Sequence, residues 1–132
     1  MANRDSMNRV LRERVVPALR KRGFTGSMPH FRCVMGDSLR LLTFQFRSGG
    51  GSFVVELGQC PAGEFTTSYG AIVPQTKMNV TYLSPSSRFR LGASEPLADH
   101  WFDFEKNEKG CEICADEVLA YLASDGDRLW NA

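Results

Sequence analysis

Apolar residues recur at helical spacing near the start of the chain. They stand three or four positions apart, so they would form one apolar side of a helix. Asp5 or Ser6 can cap its first turn, and Gly23 can end it, with Phe24 folding back onto the last turn. Pro17 lies inside the pattern and removes a backbone donor, so we expect a bend or a local break there. The stripe consists of Met7, Val10, Leu11, Val15, Ala18, Leu19 and Arg22.

The middle of the chain alternates between apolar and polar residues, as strands do. Three strands are predicted around turns at Gly36-Asp37 and at 49–51, in an antiparallel meander. The segment 39–47 is apolar on both faces in its centre, which is typical of a central strand covered on both sides. Residues 59–76 have little periodicity and are predicted as a long loop. The predicted strands are 31–35, 39–47, 53–57, 78–82, 88–92 and 100–104.

A second helix is predicted near the end of the chain. It begins at about Asn107, a good N-cap, and runs to Ala123. Gly126 would end it, and Leu129 with Trp130 would close the core as a short terminal turn. Its apolar stripe consists of Cys111, Cys114, Ala115, Val118, Leu119 and Leu122.

The order helix, strands, helix predicts one α+β domain over residues 1–132. We expect a twisted antiparallel sheet of five or six strands, with the N- and C-terminal helices packed on one face. The chain of 132 residues is long enough to bury a core, and its 42% apolar and 23% charged residues indicate a globular protein.

Charge is unevenly distributed, although the net charge is only +1. Residues 1–22 carry seven basic and two acidic side chains, and residues 95–132 carry three basic and ten acidic ones. A basic first helix packed beside an acidic last one explains this distribution. A nucleic-acid surface is disfavoured, because the domain as a whole is not basic. Arg14, on the apolar stripe, either reaches the rim or meets a carboxylate.

Candidate binding residues lie in the stretch RFRLGASEPLADHWFDF, from 88 to 104. Alternate side chains of a strand point to opposite faces. If Phe89, Leu91, Phe102 and Phe104 face the helices, the other face presents Arg88, Arg90, Trp101 and Asp103. A solvated sheet face explains this pattern without a ligand and is the favoured interpretation. The alternative is a planar or carboxylate ligand held by the arginines and the indole, with the 59–76 loop as a lid.

A CxxC motif at Cys111 and Cys114 is the sharpest chemical pattern in the chain. A redox pair and a zinc site are alternatives, but both cysteines fall on the apolar stripe of their helix, which favours core packing. Zinc would need two further ligands, and the remaining cysteines and histidines show no second paired spacing: Cys33, Cys60, His30 and His100. We predict that the pair is reduced, metal-free and at least partly buried.

Enzyme signatures are missing from the sequence. The chain has no G-x-S-x-G elbow, and the run SGGGS opens a strand rather than a phosphate-binding helix. We therefore expect no enzymatic activity, no cofactor and no metal. No apolar run is long enough to span a membrane and the start has no apolar signal core, so we expect a cytoplasmic protein.

The order of several short motifs resembles the bacterial family catalogued as domain of unknown function 4304. They are a GF after the first helix, the meander TFQF…FVVELG, then R-F-R-L-G and D-H-W-F before the last helix. The resemblance spans the chain from about Val10 to Leu122. Family members often have two tryptophans where this chain has Trp101 and Phe102. The family has no assigned activity, so the resemblance implies a small bacterial domain and supplies no catalytic residues.

Two functional hypotheses remain. The favoured one is a non-enzymatic binding or interaction module with an unidentified protein partner, such as a toxin to be neutralised or a regulated neighbour. The alternative is a small-molecule or anion-binding domain that uses Arg88, Arg90 and Trp101. Membrane association and nucleic-acid binding are not expected.

Overall fold

The N-terminal helix, α1, widens where the sequence places its proline. The computed structural model describes residues 3–95, 98–105 and 109–130. In it, α1 consists of the α-helical segments Arg4–Val10 and Val16–Lys21, joined by the π-helical turn Leu11–Val15. Pro17 has no N–H to offer and its ring crowds the preceding turn, so that turn adopts wider hydrogen bonding instead of breaking. The expected local disturbance is therefore present, although the helix continues through it.

Both ends of α1 have defined caps. The predicted N-cap was wrong by a few residues, because Asn3 caps the helix: its side chain accepts from the Ser6 N–H at 2.9 Å. The Ser6 hydroxyl accepts from the Asn3 N–H at 2.8 Å, which completes a capping box. At the other end Gly23 has φ +94°, and the Phe24 N–H donates back to the Leu19 carbonyl. This confirms the predicted glycine cap with a folded-back phenylalanine.

A six-stranded antiparallel sheet follows α1, within the predicted range. The strands are β1 (Thr25–Ser27), β2 (His30–Met35), β3 (Ser38–Phe46), β4 (Ser52–Pro61), β5 (Phe65–Thr66), β6 (Ile72–Val73), β7 (Arg88–Arg90) and β8 (Phe102–Asp103). The order in the sheet is β1-β2-β3-β4-β7, and β8 pairs with the other end of β4, while β5 and β6 form a separate hairpin.

The segment between β4 and β7 departs most from the sequence prediction. Residues 59–61 extend β4 instead of starting a loop, and the predicted strand at 78–82 is wrong. A short 3-10 turn, Val80–Tyr82, stands there, because the Asn79 side chain accepts from the Thr81 N–H and so starts a turn. Further 3-10 turns span Gln75–Lys77 and Pro85–Ser87.

Both faces of the sheet are covered, by different parts of the chain. The two helices share one core with one face, as predicted, and the strand β3 is buried on both sides. The segment 62–87 covers the opposite face through a smaller apolar cluster. Its buried members are Leu39, Leu41, Cys60, Val73, Met78, Val80 and Leu83. A Cβ at Gly58 would lie 2.6 Å from Leu83 Cδ1, so glycine lets this segment approach the sheet.

The C-terminal helix, α2, begins and ends later than predicted. It consists of Gly110–Tyr121, the π-helical turn Leu122–Gly126 and the final turn Asp127–Trp130. Lys109 occupies the N-cap position, and the predicted cap Asn107 lies outside the described residues. Gly126 does not end the helix. It is buried beside the Trp130 ring, whose N–H donates to the Leu41 carbonyl at 3.1 Å.

Opposite charges meet where the two helices lie side by side. Arg14 Nη1 is 3.2 Å from Asp116 Oδ1, and Arg22 Nη1 is 3.6 Å from Asp127 Oδ1. These contacts agree with the interpretation that a basic first helix packs beside an acidic last one. The aspartates are largely exposed, so each pair contributes little to stability. Among the described residues, none of the helices is long and apolar enough to cross a membrane.

Replacing Gly110 by alanine should destabilise the fold. A Cβ at Gly110 would overlap the Phe104 carbonyl, and backbone there can yield only by moving β8 away from α2. We expect a loss of about 1–3 kcal/mol in the free energy of unfolding, measured by urea denaturation. Gly49→Ala is the matched control, because nothing lies within 4 Å of its added Cβ. Equal stability of the two variants would contradict this account.

Candidate functional site

A row of polar side chains crosses the sheet on the face opposite the helices. His30 pairs with Thr43, Thr43 with Glu56, and Glu56 with Arg90, on the adjacent strands β2, β3, β4 and β7. Val55 and Leu57 belong to the helix-facing core, so Glu56 between them points to the other face. Antiparallel pairing therefore places four polar side chains side by side, although they span 60 residues of the sequence, from His30 to Arg90.

Glu56 is the buried centre of this row. Only 1% of its surface is exposed. Arg90 Nη2 lies 3.1 Å from its Oε1, and Arg88 Nη1 lies 3.8 Å from the same oxygen. Its other oxygen, Oε2, has no hydrogen-bond partner among the described residues. A buried carboxylate oxygen without a donor is costly, so this atom distinguishes the site from an ordinary ion pair.

The backbone of the covering segment fixes Arg88. Its Nε and Nη2 donate to the Leu83 carbonyl at 3.0 and 2.7 Å, and Nη2 also donates to the Thr81 carbonyl at 2.9 Å. The 3-10 turn capped by Asn79 presents these carbonyls. Three donated bonds hold the planar guanidinium in one orientation, which leaves Nη1 directed at Glu56.

A cavity of about 230 Å³ adjoins these groups. It is lined by Glu56, Pro85, Arg88, Arg90 and Asp99. Arg90 lies between two carboxylates, because its Nη1 is also 3.6 Å from Asp99 Oδ1. Two cationic and two anionic side chains thus surround the cavity, and their formal charges cancel. Pro85 adds one apolar wall.

At the far end of the row, a histidine faces Thr43. His30 Nδ1 lies 2.9 Å from the Thr43 hydroxyl oxygen, and Thr43 is buried. Burial lowers the pKa of His30, and the nearby Arg32 cation lowers that pKa further. The neutral imidazole is therefore favoured in the folded protein.

The predicted site residues are distributed over two places. Arg88 and Arg90 line the cavity beside Glu56. Asp103 pairs with Ser52 at the other end of β4 and lines a different, more open cavity of about 280 Å³. Trp101, just before β8, is 44% exposed. That second cavity is lined by Arg47, Gly50, Gly51, Ser52, Asp103 and Glu105.

Glu56 and Asp99 were missed as site residues. The available signal for Glu56 was a carboxylate within FVVELG, a strand otherwise apolar on both faces. Asp99 carried no comparable signal, since it stands in an irregular stretch before β8.

The cysteines lie in the two cores. Cys111 and Cys114 are buried in the helix-facing core, which confirms that part of the prediction, and none of the four cysteines, all within the described ranges, forms a disulfide. Cys33 shares that core, and Cys60 lies in the opposite cluster, where burial raises the pKa of its thiol. Within the described ranges, no three histidine, cysteine or acidic residues are grouped to hold a metal ion.

His100 packs against aromatic rings at the edge of the helix-facing core. Its ring centroid is 4.9 Å from that of Phe102 and 5.2 Å from that of Tyr121, both with edge-on geometry. A Cβ at Gly92 would lie 2.7 Å from the imidazole. These contacts account for His100 by packing alone.

Together, the fold and the site define an α+β domain with a small, charge-balanced cavity on the face of its sheet opposite the helices. The chain belongs to the family described as Domain of unknown function (DUF4304), which matches residues 15–131. The resemblance noted from the motifs is thereby confirmed. No curated protein and no solved structure is detectably similar to the chain.

Removing Arg90 should destabilise the protein strongly. Arg90→Met leaves the buried Glu56 without its nearest cation, and we expect a loss of at least about 2 kcal/mol in the free energy of unfolding. The control is Arg128→Met, which removes an exposed partner of Asp125 and should change stability by about 0–1 kcal/mol. The double variant Glu56→Met/Arg90→Met should lose less than Arg90→Met alone, measured by denaturant titration. A larger loss in the double variant would refute the charge-pair explanation.

The protein should lose stability on mild acidification partly through His30. Its folded-state pKa lies below the usual value of about 6.5, so the unfolded chain takes up the proton first as the pH falls. Stability present at about pH 8 is therefore lost as the pH drops through 6.5 towards the folded pKa. His30→Gln should show a smaller loss between about pH 8 and about pH 5 than the wild type. Urea denaturation at several pH values checks this, and identical pH profiles for His30→Gln and the wild type would contradict it.

Proposed function

We propose that this protein is a non-enzymatic binding domain whose ligand is a small molecule held in the cavity beside Glu56. The single observation that supports this proposal is the buried Glu56 Oε2, which has no partner among the described residues and belongs to a residue that lines a cavity. Binding without catalysis is proposed because the sequence has no nucleophile, metal or phosphate-binding motif.

The cavity is built in the manner of a specific site. Arg88 is fixed by three bonds to backbone carbonyls, so it needs little reorganisation on binding. Asp99, whose side chain is 55% exposed, stands at the open side, where a ligand would enter. A rigid inner wall with a more accessible outer rim is the arrangement that positions small ligands.

A protein partner is the second candidate, and a different surface favours it. The hairpin of β5 and β6 exposes 75% of Tyr69 and 64% of Ile72, side chains that interfaces use as anchors. Nucleic acid is a weaker candidate, because part of the basic surface of α1 is paired with carboxylates of α2. We also propose a cytoplasmic location, which is supported by four described cysteines that form no disulfide.

The small-molecule proposal is tested by thermal denaturation of the full chain across a panel of metabolites of both charges. At least one compound should raise the stability, by about 2.7 kcal/mol at a concentration one hundred times its Kd. The same compound should stabilise Glu56→Gln much less and the control Glu117→Gln, an exposed site on α2, as much as the wild type.

A panel without any stabilising compound would refute the small-molecule proposal. If wild-type protein then captured a partner from lysate that Tyr69→Ser/Ile72→Ser did not capture, the second candidate would replace it. Equal stabilisation of Glu56→Gln and the wild type would show that the ligand does not bind through Glu56, which would contradict the observation behind the proposal.

A further inference from the structure

Two residues that line the cavity, Glu56 and Arg88, each have a hydrogen-bonding group that the described contacts leave unsatisfied. Glu56 Oε2 is an acceptor without a donor among the described residues. Arg88 Nη1 is a donor group whose described contact is the 3.8 Å ion pair to Glu56 Oε1, longer than a hydrogen bond. The other two nitrogens of Arg88 already donate to carbonyls, so the guanidinium cannot turn away without losing those bonds.

The chemistry of each group determines what it can bind. An ionised carboxylate only accepts, so the partner of Oε2 must donate a hydrogen, and a cationic N–H gives the strongest bond. A guanidinium only donates, so the partner of Arg88 Nη1 must accept, and a carboxylate matches it. A single ligand satisfies both groups only if it has a cation and an anion close together.

The charge and size of the cavity further restrict the ligands that it can bind. The formal charges of Glu56, Asp99, Arg88 and Arg90 cancel, so a ligand without net charge leaves the site balanced, whereas a net anion or cation adds an uncompensated charge. The volume of about 230 Å³ corresponds to roughly seven or eight water molecules. It lies below the roughly 300–1,000 Å³ of pockets for drug-sized ligands.

We propose, on the basis of the small-molecule function above, that the cavity binds a small zwitterion of the amino-acid class. Its ammonium group donates to Glu56 Oε2, and its carboxylate accepts from Arg88 Nη1. Arg90 holds Glu56 through Oε1 and leaves Oε2 for the ligand. Pro85 contacts the carbon part of the ligand.

Calorimetric titration of the wild-type protein tests the zwitterion proposal. It compares whole ligands, which carry both charged groups, with half ligands, which carry only the carboxylate or only the ammonium group. The whole ligands are glycine and alanine, the carboxylate halves are acetate and propionate, and the ammonium halves are methylamine and ethylamine. Each half should bind at least about tenfold more weakly than the corresponding zwitterion, because it loses one charge-assisted bond.

The outcomes separate this inference from the proposed function. If a carboxylate or an amine alone binds as tightly as the zwitterion, the zwitterion assignment is overturned while small-molecule binding stands. If none of the six compounds binds, the assignment is overturned, and the wider metabolite panel decides the function. A water molecule bound to Oε2 would produce this second outcome.

Two variants assign the contacts. Glu56→Gln should weaken zwitterion binding about tenfold or more and should not weaken carboxylate binding, whereas Arg88→Lys should weaken both. The controls are Glu117→Gln and Arg12→Lys, both on exposed helix positions. Wild-type affinity for the zwitterion in Glu56→Gln would overturn the assignment. If that variant does not fold, the comparison of half ligands on the wild type still decides the question.

Discussion

The burial of the Glu56 carboxylate is the constraint that organises one whole side of this protein. A carboxylate withdrawn from water requires cations nearby, and β7 supplies Arg90 at 3.1 Å and Arg88 at 3.8 Å. Arg88 in turn bonds the carbonyls of Thr81 and Leu83, so it ties the covering segment to the sheet. The position of β7, the anchoring of Thr81 and Leu83 over the sheet and the cavity beside them therefore depend on one charged residue. The helix-facing side, by contrast, is held mainly by apolar packing around Phe53 and its neighbours.

Local patterns in the sequence predicted the helix-facing side well. Helical spacing predicted α1 and α2, and alternation predicted β2, β3 and β4. The conformational freedom of glycine predicted the cap at Gly23. These predictions succeeded because each pattern depends only on residues close together in the sequence. Boundaries failed where the deciding contact is distant. Gly126 was predicted as a helix end, but it lies under the Trp130 ring and has no positive φ, so the helix passes through it.

The opposite face was harder to predict, because irregular chain covers it. Met78, Val80 and Tyr82 alternate like a strand, yet Asn79 starts a 3-10 turn, and Tyr82 is partly exposed while Leu83 is buried. The sequence predicted a loop over 59–76 and a strand over 78–82, so neither was expected to cover the sheet. The face beneath was therefore interpreted as solvated, and Glu56 looked like an ordinary outward-facing residue. Arg88 and Arg90 could be proposed from alternation alone. Their shared carboxylate depends on strand pairing 32 to 34 residues back along the chain, which no local pattern records.

Stability alone gives little reason for a charge at position 56. A buried ion pair is often no better for the fold than apolar side chains of similar volume, and the neighbours Val54, Val55 and Leu57 show that β4 tolerates full apolar burial. A charge in such a place therefore needs another explanation, either a unique position for β7 or recognition of a ligand. The first explanation is satisfied through Oε1, which meets both arginines. A unique position for β7 leaves Oε2 unexplained, and that oxygen belongs to a residue that lines the cavity. Recognition of a ligand therefore accounts for more of the site than the positioning of β7 does.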